Sequence, residues 1–241
     1  MTLDQVINSW VQEISLSEAQ KINIRGTATD LMTKLERIPF IKEVRIGGSF
    51  QNKLMISGLS DVDLYCRFVE TEGKQNRKPQ SVIDKTRNYL KTSYPQNQIG
   101  VSPPSLLVQF ERVEVEINIY QLNRSNKETI ASNDLKKWGE TNFLSKRARV
   151  KKMMNRPNFQ NAVKVLKFWN YSRGTPFKNY KIERIVYGLV HNTKRMKPIS
   201  LLIYQFLKAA RHKEDAKWFY QIMNQHTSRR SWIDFIENRS Y

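Results

Sequence analysis

The sequence predicts an α+β protein in which a mixed or antiparallel sheet with flanking helices is followed by a helical second half. Three observations lead to this class. Short apolar runs alternate with helical patterns before Tyr120, and the segments after it repeat apolar residues at helical spacing. The chain has 241 residues, 39% of them hydrophobic, which is long enough to bury a substantial core. We expect two domains, over residues 1–125 and 126–241.

The first half opens with a helix and a strand. Ser17 and Gln20 have the spacing of a capping box, in which each side chain satisfies a free backbone amide at the start of a helix. Pro39 should stop this helix, and a strand through Val44 and Ile46 should follow. The apolar residues at helical spacing are Ile24, Ala28, Leu31, Leu35 and Ile38.

The rest of the first half is predicted to form two more helices and the remaining strands of the sheet. A short helix over residues 50–55 and a strand over residues 61–68 come next. Ser81 has a typical N-cap side chain, and the helix after it should reach about Lys91. Two apolar segments, LLVQF and VEVEINIY, are typical of strands and complete the sheet.

The second half predicts helices with one apolar face each. Lys164, Lys167 and Tyr171 fall on a different face from the apolar residues of their helix, which predicts that they lie outside the core. The apolar faces are Phe159, Val163, Leu166 and Trp169 in one helix, and Ile199, Leu202, Ile203, Phe206 and Leu207 in another.

The charge of the chain is concentrated in its second half. Residues 1–120 have a net charge of +1 and residues 121–241 have +18, which together give the net charge of +19. Such a surplus favours a polyanionic partner, and we expect RNA, although a solvated basic surface is the alternative. The basic clusters are Lys146–Lys152, Lys194–Lys197, and Lys208 with Arg211, His212 and Lys213.

Several classes of protein are disfavoured. Cys66 is the only cysteine, so no internal disulfide can form and no disulfide-linked partner is expected. We find no apolar run of about 18 residues and no signal-peptide pattern at the start, so we expect a cytoplasmic protein without a membrane partner.

Two aspartates lie one residue apart in the apolar run GLSDVDLYC. Alternation along a strand places Asp61 and Asp63 on one face, where their charges repel unless a cation lies between them. Carboxylates in this arrangement suit Mg²⁺ or Mn²⁺. Upstream, Gly48 and Ser49 belong to a glycine turn that could hold a phosphate through free amides and the hydroxyl.

A third carboxylate is available on a neighbouring strand. The segment VEVEINI places Glu114, Glu116 and Asn118 on one face, and either glutamate could complete a metal site for phosphoryl transfer. Tyr65 and Cys66 stand where a calcium loop needs a polar ligand and a glycine, so an EF-hand is excluded. The chain also lacks a Walker A sequence.

These segments resemble a known superfamily. The run GGSFQNKLMISGLSDVDLYC is similar to the Gly-Ser…Ser-Asp-x-Asp signature of the DNA polymerase β-like nucleotidyltransferases, and VEVEINIYQ is similar to their third-carboxylate strand. AVKVLKFWN followed by KIERIVYGL resembles the Lys-x-Trp and Glu-containing helices of the oligoadenylate synthase and CD-NTase branch. Archaeal-type CCA-adding enzymes are the second group that these segments resemble.

The resemblance implies roles for particular residues. Asp61, Asp63 and Glu116 would ligate the metal ions, and Glu116 would also activate the acceptor hydroxyl. The triphosphate would be held by Gly48 and Ser49, with help from Lys167. The chain departs from the pattern at Lys53-Leu54, where many relatives have Gly-Thr, and after the third acid, where a proline is often found. The second departure leaves Glu114 as an alternative to Glu116.

The function implied is metal-dependent transfer of a nucleoside monophosphate from an NTP, expected to be ATP, to a hydroxyl of a nucleotide or RNA, with release of pyrophosphate. The enzyme would make an oligonucleotide or add nucleotides to RNA; a tRNA or RNA 3′-terminal transferase is the alternative. A catalytically silent RNA-binding protein is the non-enzymatic alternative. An antibiotic-modifying enzyme is disfavoured, because so basic a protein repels cationic drugs.

Overall fold

The computed structural model describes residues 2–59, 61–70, 77–123, 125–141, 153, 156–175, 177–191, 197–224, 232 and 234. The chain divides into two compact units. The sheet unit comprises Leu16–Asn52 and Ser60–Arg147, and the helical unit comprises Met1–Ser15, Lys53–Leu59 and Ala148–Tyr241. The expected α+β class, with helices following the sheet, is confirmed. The domain bounds at residues 125 and 126 stay a prediction.

The sheet is mixed. Its order is β1-β2-β5-β4-β3, and β6 pairs with the end of β5 while β7 pairs with β6. Only the β2–β5 pair is parallel among the described strands, and the other pairs are antiparallel. The strands are β1 (Ile41–Ile46), β2 (Val62–Phe68), β3 (Gln98–Ser102), β4 (Ser105–Gln109), β5 (Glu114–Leu122), β6 (Glu128–Ala131) and β7 (Trp138–Glu140).

The helices of the sheet unit are α2 (Glu18–Glu36), α3 (Gly48–Gln51) and α4 (Pro79–Ser93). The predicted capping box at the start of α2 is present. The predicted Ser81 cap is wrong: α4 begins at Pro79, whose fixed φ and missing amide suit the first turn. The short helix also ends earlier than predicted, because Lys53 adopts a left-handed conformation with φ 55° just after it.

The helical unit contains α1 (Leu3–Ile14), α5 (Pro157–Ser172), α6 (Asn179–Val190), α7 (Ile199–Ala209) and α8 (Lys213–Asn224). The apolar faces predicted for α5 and α7 are buried, as expected. Among the described residues, no helix is long and apolar enough to span a membrane.

Helix α1, which is not predicted from the sequence, is part of the helical core. It buries Val6, Ile7, Trp10 and Val11 in the same cluster as the apolar faces of α5 and α7. The Asp4 carboxylate accepts hydrogen bonds from the backbone amides of Ile199 and Ser200, at 3.2 and 3.0 Å. Asp4 therefore caps the N-terminus of α7 from a distant part of the chain, where the preceding Pro198 supplies no cap.

Candidate active site

The acidic residues lie on two neighbouring strands of the sheet unit. In the parallel pairing of β2 with β5, Asp63 is directly opposite Glu116. The residues on either side of each acid, Val62 and Leu64 in β2 and Val115 and Ile117 in β5, are buried. Because alternate strand residues face opposite sides, Asp63 and Glu116 share the other face of the sheet. The structure thus brings together two of the predicted acids.

The glycine turn lies directly against Asp63. The backbone amide of Gly47 donates to the Asp63 carbonyl oxygen at 2.8 Å. Gly48 has a φ of 55°, and a Cβ atom built there would lie 1.4 Å from Asp63 Oδ2. A side chain at position 48 would therefore occupy the space of the carboxylate. Both the left-handed backbone and the close approach require glycine here.

Ser49 follows in α3, a single turn whose N-cap, Gly47, makes no side-chain capping hydrogen bond. Such a short helix offers free backbone amides rather than a large dipole. Tyr65 is a site residue that is not predicted from the sequence. Its hydroxyl donates to Asp63 Oδ1 at 3.2 Å, and its position two residues after Asp63 on the same strand was the available signal.

Glu116 has a raised pKa. Burial of the carboxyl is the main cause, and the negative charges of Asp61 and Glu114 raise the pKa further. The nearby Ser105 hydroxyl donates its one hydrogen to Asn118 Oδ1, at 2.9 Å. Nothing in the sequence around Ser105 indicates this contact, because it depends on the pairing of β4 with β5. Asp61, just before β2, therefore lies close enough for its charge to act on Glu116.

The chemistry of the donor set fits a divalent cation. In the described part of the chain, none of Asp61, Glu114 and Glu116 forms an ion pair with a basic side chain. Carboxylate oxygens that repel one another are suitable ligands for Mg²⁺ or Mn²⁺. Within the described residues, no three acidic, His or Cys side chains converge as in an assembled metal centre. Ligation by Asp61, Asp63 and Glu116 therefore stays a prediction.

Comparison with known proteins identifies the family. The model of the Second Messenger Oligonucleotide or Dinucleotide Synthetase domain, abbreviated SMODS, matches residues 1–153. The chain belongs to the SMODS family. No curated protein matches the sequence. Membership in this family makes the chain a nucleotidyltransferase, an enzyme class that uses an NTP and a divalent metal.

The SMODS chain also has the fold of solved nucleotidyltransferases. E. coli MS115-1 CdnC, solved with ATP, is 18% identical with a TM-score of 0.70, covering 87% of this chain and 72% of CdnC. Rhodothermus marinus CdnE, a c-UMP-AMP synthase solved with Apcpp and Upnpp, is 14% identical with a TM-score of 0.63, covering 87% and 83%. The Cid1 poly(U) polymerase, solved with Mg and 3′-dATP, is 12% identical with a TM-score of 0.59, covering 85% and 72%.

Lys167, the predicted triphosphate ligand of the SMODS chain, lies in α5 of the helical unit. The prediction that it lies outside the core is wrong, since only 5% of the side chain is exposed. Its Nζ atom lies 2.7 Å from Oε1 of Glu183 in α6. The buried ammonium is tolerated because this carboxylate neutralises it. Helical periodicity within α5 cannot reveal a partner on another helix.

We expect Lys167 and Glu183 to be strongly coupled in stability. Lys167→Met or Glu183→Leu alone leaves one buried charge unpaired and should lower the free energy of unfolding by about 3 kcal/mol. The double variant should lose much less than the sum of both. Urea denaturation of the four proteins measures the coupling, and the exposed pair Lys21 and Glu18 is the control, for which we expect a much smaller coupling because solvent screens both charges. Additive losses at the buried pair would contradict the assignment.

Glu116→Gln is expected to stabilise the metal-free enzyme while impairing transfer. Since the pKa of Glu116 is raised in the folded state, the carboxylate costs stability as the pH rises from its ordinary pKa through its raised one. The amide removes this cost, so the variant should melt at a higher temperature than the wild type at neutral pH, with the gain disappearing in acid. Thermal unfolding with a chelator present measures this difference. A variant that is less stable than the wild type at neutral pH would contradict it.

Proposed function

We propose that this SMODS protein transfers a nucleoside monophosphate from ATP or another NTP to a hydroxyl of a second nucleotide, producing a di- or oligonucleotide and pyrophosphate. The observation that carries the proposal is the pairing of Asp63 with Glu116 across β2 and β5, with Gly48 packed against the Asp63 carboxylate. This arrangement presents acids beside a turn that a phosphate can approach closely.

The predicted site residues bind either the metal ions or the triphosphate. Asp61, Asp63 and Glu116 bind Mg²⁺ or Mn²⁺, which when bound neutralises charge on the phosphates and on the leaving pyrophosphate. Gly48 and Ser49 hold the triphosphate through backbone amides and the Ser49 hydroxyl. For Lys167, the resemblance implies a contact with the triphosphate, and its ammonium is paired with Glu183 in the helical unit.

The transfer is an in-line substitution at the α-phosphorus. The oxygen of the acceptor hydroxyl forms a bond to phosphorus, and the bond from phosphorus to the oxygen that bridges to the β-phosphate breaks. Glu116 accepts the proton of the acceptor hydroxyl, a role that its raised pKa favours because a more basic carboxylate is a better proton acceptor. Catalysis of this kind depends on positioning and charge neutralisation, so it requires no covalent enzyme intermediate.

Glu114 remains the alternative third acid. One observation favours Glu116: it is the residue opposite Asp63 in the parallel pairing of β2 with β5. Comparing Glu114→Gln with Glu116→Gln separates the two, because only the acid that accepts the proton should cost about 10²-fold or more in rate.

The test is a transfer assay with labelled substrate. The protein is incubated with Mg²⁺ or Mn²⁺ and each α-labelled NTP in turn, with and without RNA, and the products are separated by size. Small phosphatase-resistant products support the proposed di- or oligonucleotide synthesis. Labelled RNA instead identifies an RNA-modifying transferase, and no transfer under any condition supports the catalytically silent alternative.

Nucleotide addition to RNA ends, tRNA included, is the second candidate. Two observations favour it: the net charge of +18 over residues 121–241 exceeds what an NTP requires, and the fold is similar to that of Cid1, a poly(U) polymerase. Synthesis of a di- or oligonucleotide, the first candidate, is favoured by the SMODS match and by the similarity to CdnC, solved with ATP, and to CdnE, a c-UMP-AMP synthase. The same assay separates the two, because an RNA acceptor becomes longer as the label enters it.

A further inference from the structure

A cleft between α7 and α8 of the helical unit combines two tyrosines with three basic residues. It has a volume of about 400 Å³ and is lined by Tyr204, Lys208, Arg211, Ala216, Lys217 and Tyr220. We call it the tyrosine cleft. None of these residues takes part in the proposed transfer reaction, and all of them lie within one compact unit.

The tyrosines provide an aromatic surface that is open to solvent. Their ring centroids lie 5.5 Å apart with an angle of 38° between the planes, and 51% of Tyr220 is exposed. A large aromatic side chain with half its surface in water gains free energy when another flat ring covers it. Nucleic-acid bases stack on exposed tyrosines in this way.

The basic residues surround this aromatic surface. Lys208 Nζ lies 5.5 Å from the centre of the Tyr204 ring, and Lys208, Arg211 and Lys217 are all exposed. Among the described residues, none of these three forms a salt bridge. The nearby Asp215 instead pairs with Arg173, at 3.2 Å, and lies 3.7 Å from His212. The cleft therefore keeps its positive charge.

We propose that the tyrosine cleft binds single-stranded RNA, with an unpaired base stacked on Tyr220 and the neighbouring phosphates contacted by Lys208, Arg211 and Lys217. The combination of stacking with phosphate neutralisation favours a single strand over a duplex, whose bases are not available for stacking. An acidic protein segment would use the charges but not the exposed ring. The predicted RNA partner of the basic second half thus gains a defined contact point.

Two further basic clusters predicted to contact RNA give this proposal no structural support. Lys146–Lys152 lies outside the described residues, and of Lys194–Lys197 only Lys197 is described, with its Nζ atom donating to Gln205 at 2.9 Å. The tyrosine cleft therefore carries the argument by itself. Binding there does not depend on the transfer reaction, so it is tested by affinity alone.

The experiment measures fluorescence anisotropy of a labelled single-stranded RNA of about 12 nucleotides, titrated with the full chain. Tyr220→Leu removes the stacking surface and should raise the dissociation constant about tenfold. Tyr171→Leu is the matched control, since 57% of Tyr171 is exposed on α5, and it should change the constant by less than about twofold. Thermal unfolding of both variants verifies that each is folded.

The contribution of the basic residues to RNA binding is measured separately, through the salt dependence of the affinity. Changing Lys208, Arg211 and Lys217 together to Gln should reduce the slope of log affinity against log salt by about two, because each phosphate contact to a single strand contributes about 0.7. Lys178 is an exposed lysine just before α6, and Lys178→Gln should reduce this slope by less than about 0.7, the contribution of one phosphate contact. Equal losses in the cleft variants and the controls, or none in either, would overturn the proposal.

A photochemical experiment locates the base without any substitution. RNA carrying 5-iodouridine forms crosslinks with aromatic side chains that stack on the modified base. Peptide mass spectrometry should find the crosslink at Tyr220 or Tyr204. Excess unlabelled single-stranded RNA should suppress this crosslink, and a blunt-ended RNA duplex, which has no unpaired bases, should not. Crosslinks confined to other parts of the chain, or equal suppression by the duplex, would overturn the proposal.

Discussion

Asp63→Asn is expected to reduce nucleotidyl transfer by about 10³-fold or more, because it removes a carboxylate that holds the divalent cation while keeping nearly the same side-chain volume. Asp63 lies between the two other parts of the candidate site. It faces Glu116 across the strand pair, and its Oδ2 atom lies where a Cβ of residue 48 would be. The rate of product formation from labelled ATP, at saturating Mg²⁺, measures the effect.

Asp84→Asn is the matched control for this substitution. Asp84 lies in α4 of the same unit and accepts two hydrogen bonds from Gln80, at 2.9 and 3.0 Å, which an asparagine can partly replace. We expect transfer within about twofold of the wild type. Asp63→Asn should also leave RNA binding unchanged. Transfer that persists in Asp63→Asn would mean that the reaction takes place at another site.

Gly48→Ala is expected to cost about 10²-fold in transfer rate. The added methyl group would lie 1.4 Å from Asp63 Oδ2 and 2.3 Å from its Cγ, so either the carboxylate or the turn must move. A displacement of about 1 Å in a reacting assembly can cost this much. The left-handed backbone adds a separate loss of stability of about 1–2 kcal/mol. Initial rates and thermal unfolding of the purified variant measure the two effects.

Gly174→Ala separates these causes. Gly174 follows α5 with a φ of 71°, but among the described residues other than its chain neighbours no atom lies within 4 Å of a Cβ built there. This variant should lose the stability that the left-handed backbone costs, as Gly48→Ala also does, but without the further cost of a clash. It should nevertheless retain transfer activity. If both variants lost activity equally, the contact between Gly48 and Asp63 would have no special role in the reaction.

The sequence predicts those parts of the site that depend on local patterns. Alternation along a strand is a property of a few adjacent residues, so the shared faces of Asp61 with Asp63 and of Glu114 with Glu116 follow from reading the chain. The contacts between strands cannot be predicted from such local patterns, because they depend on which strands pair and in which register. The pairing places Asp63 opposite Glu116, and it brings the Ser105 hydroxyl close to the Glu116 carboxyl.

Burial of polar residues is the part that sequence patterns miss. Lys167 is predicted to lie outside the core because it is off the apolar face of α5, yet Glu183 from α6 makes its burial possible. Helix α1 is a different case, because its signals are local: Thr2 and Gln5 form a capping box, and its apolar residues Val6, Ile7, Trp10 and Val11 recur at helical spacing. The start of α4 is predicted too late. Ser81 and Pro79 are both residues that favour the beginning of a helix, and here the helix begins at the proline.

The central claim is that Asp61, Asp63 and Glu116 bind a divalent cation together with the NTP. Electron paramagnetic resonance of Mn²⁺, titrated with protein and a non-hydrolysable ATP analogue, tests it without requiring turnover. We predict that the wild type and Asp84→Asn bind Mn²⁺ equally well in the presence of the analogue, and that Asp63→Asn and Glu116→Gln bind it at least about tenfold more weakly. Unchanged Mn²⁺ binding by both site variants would contradict the claim.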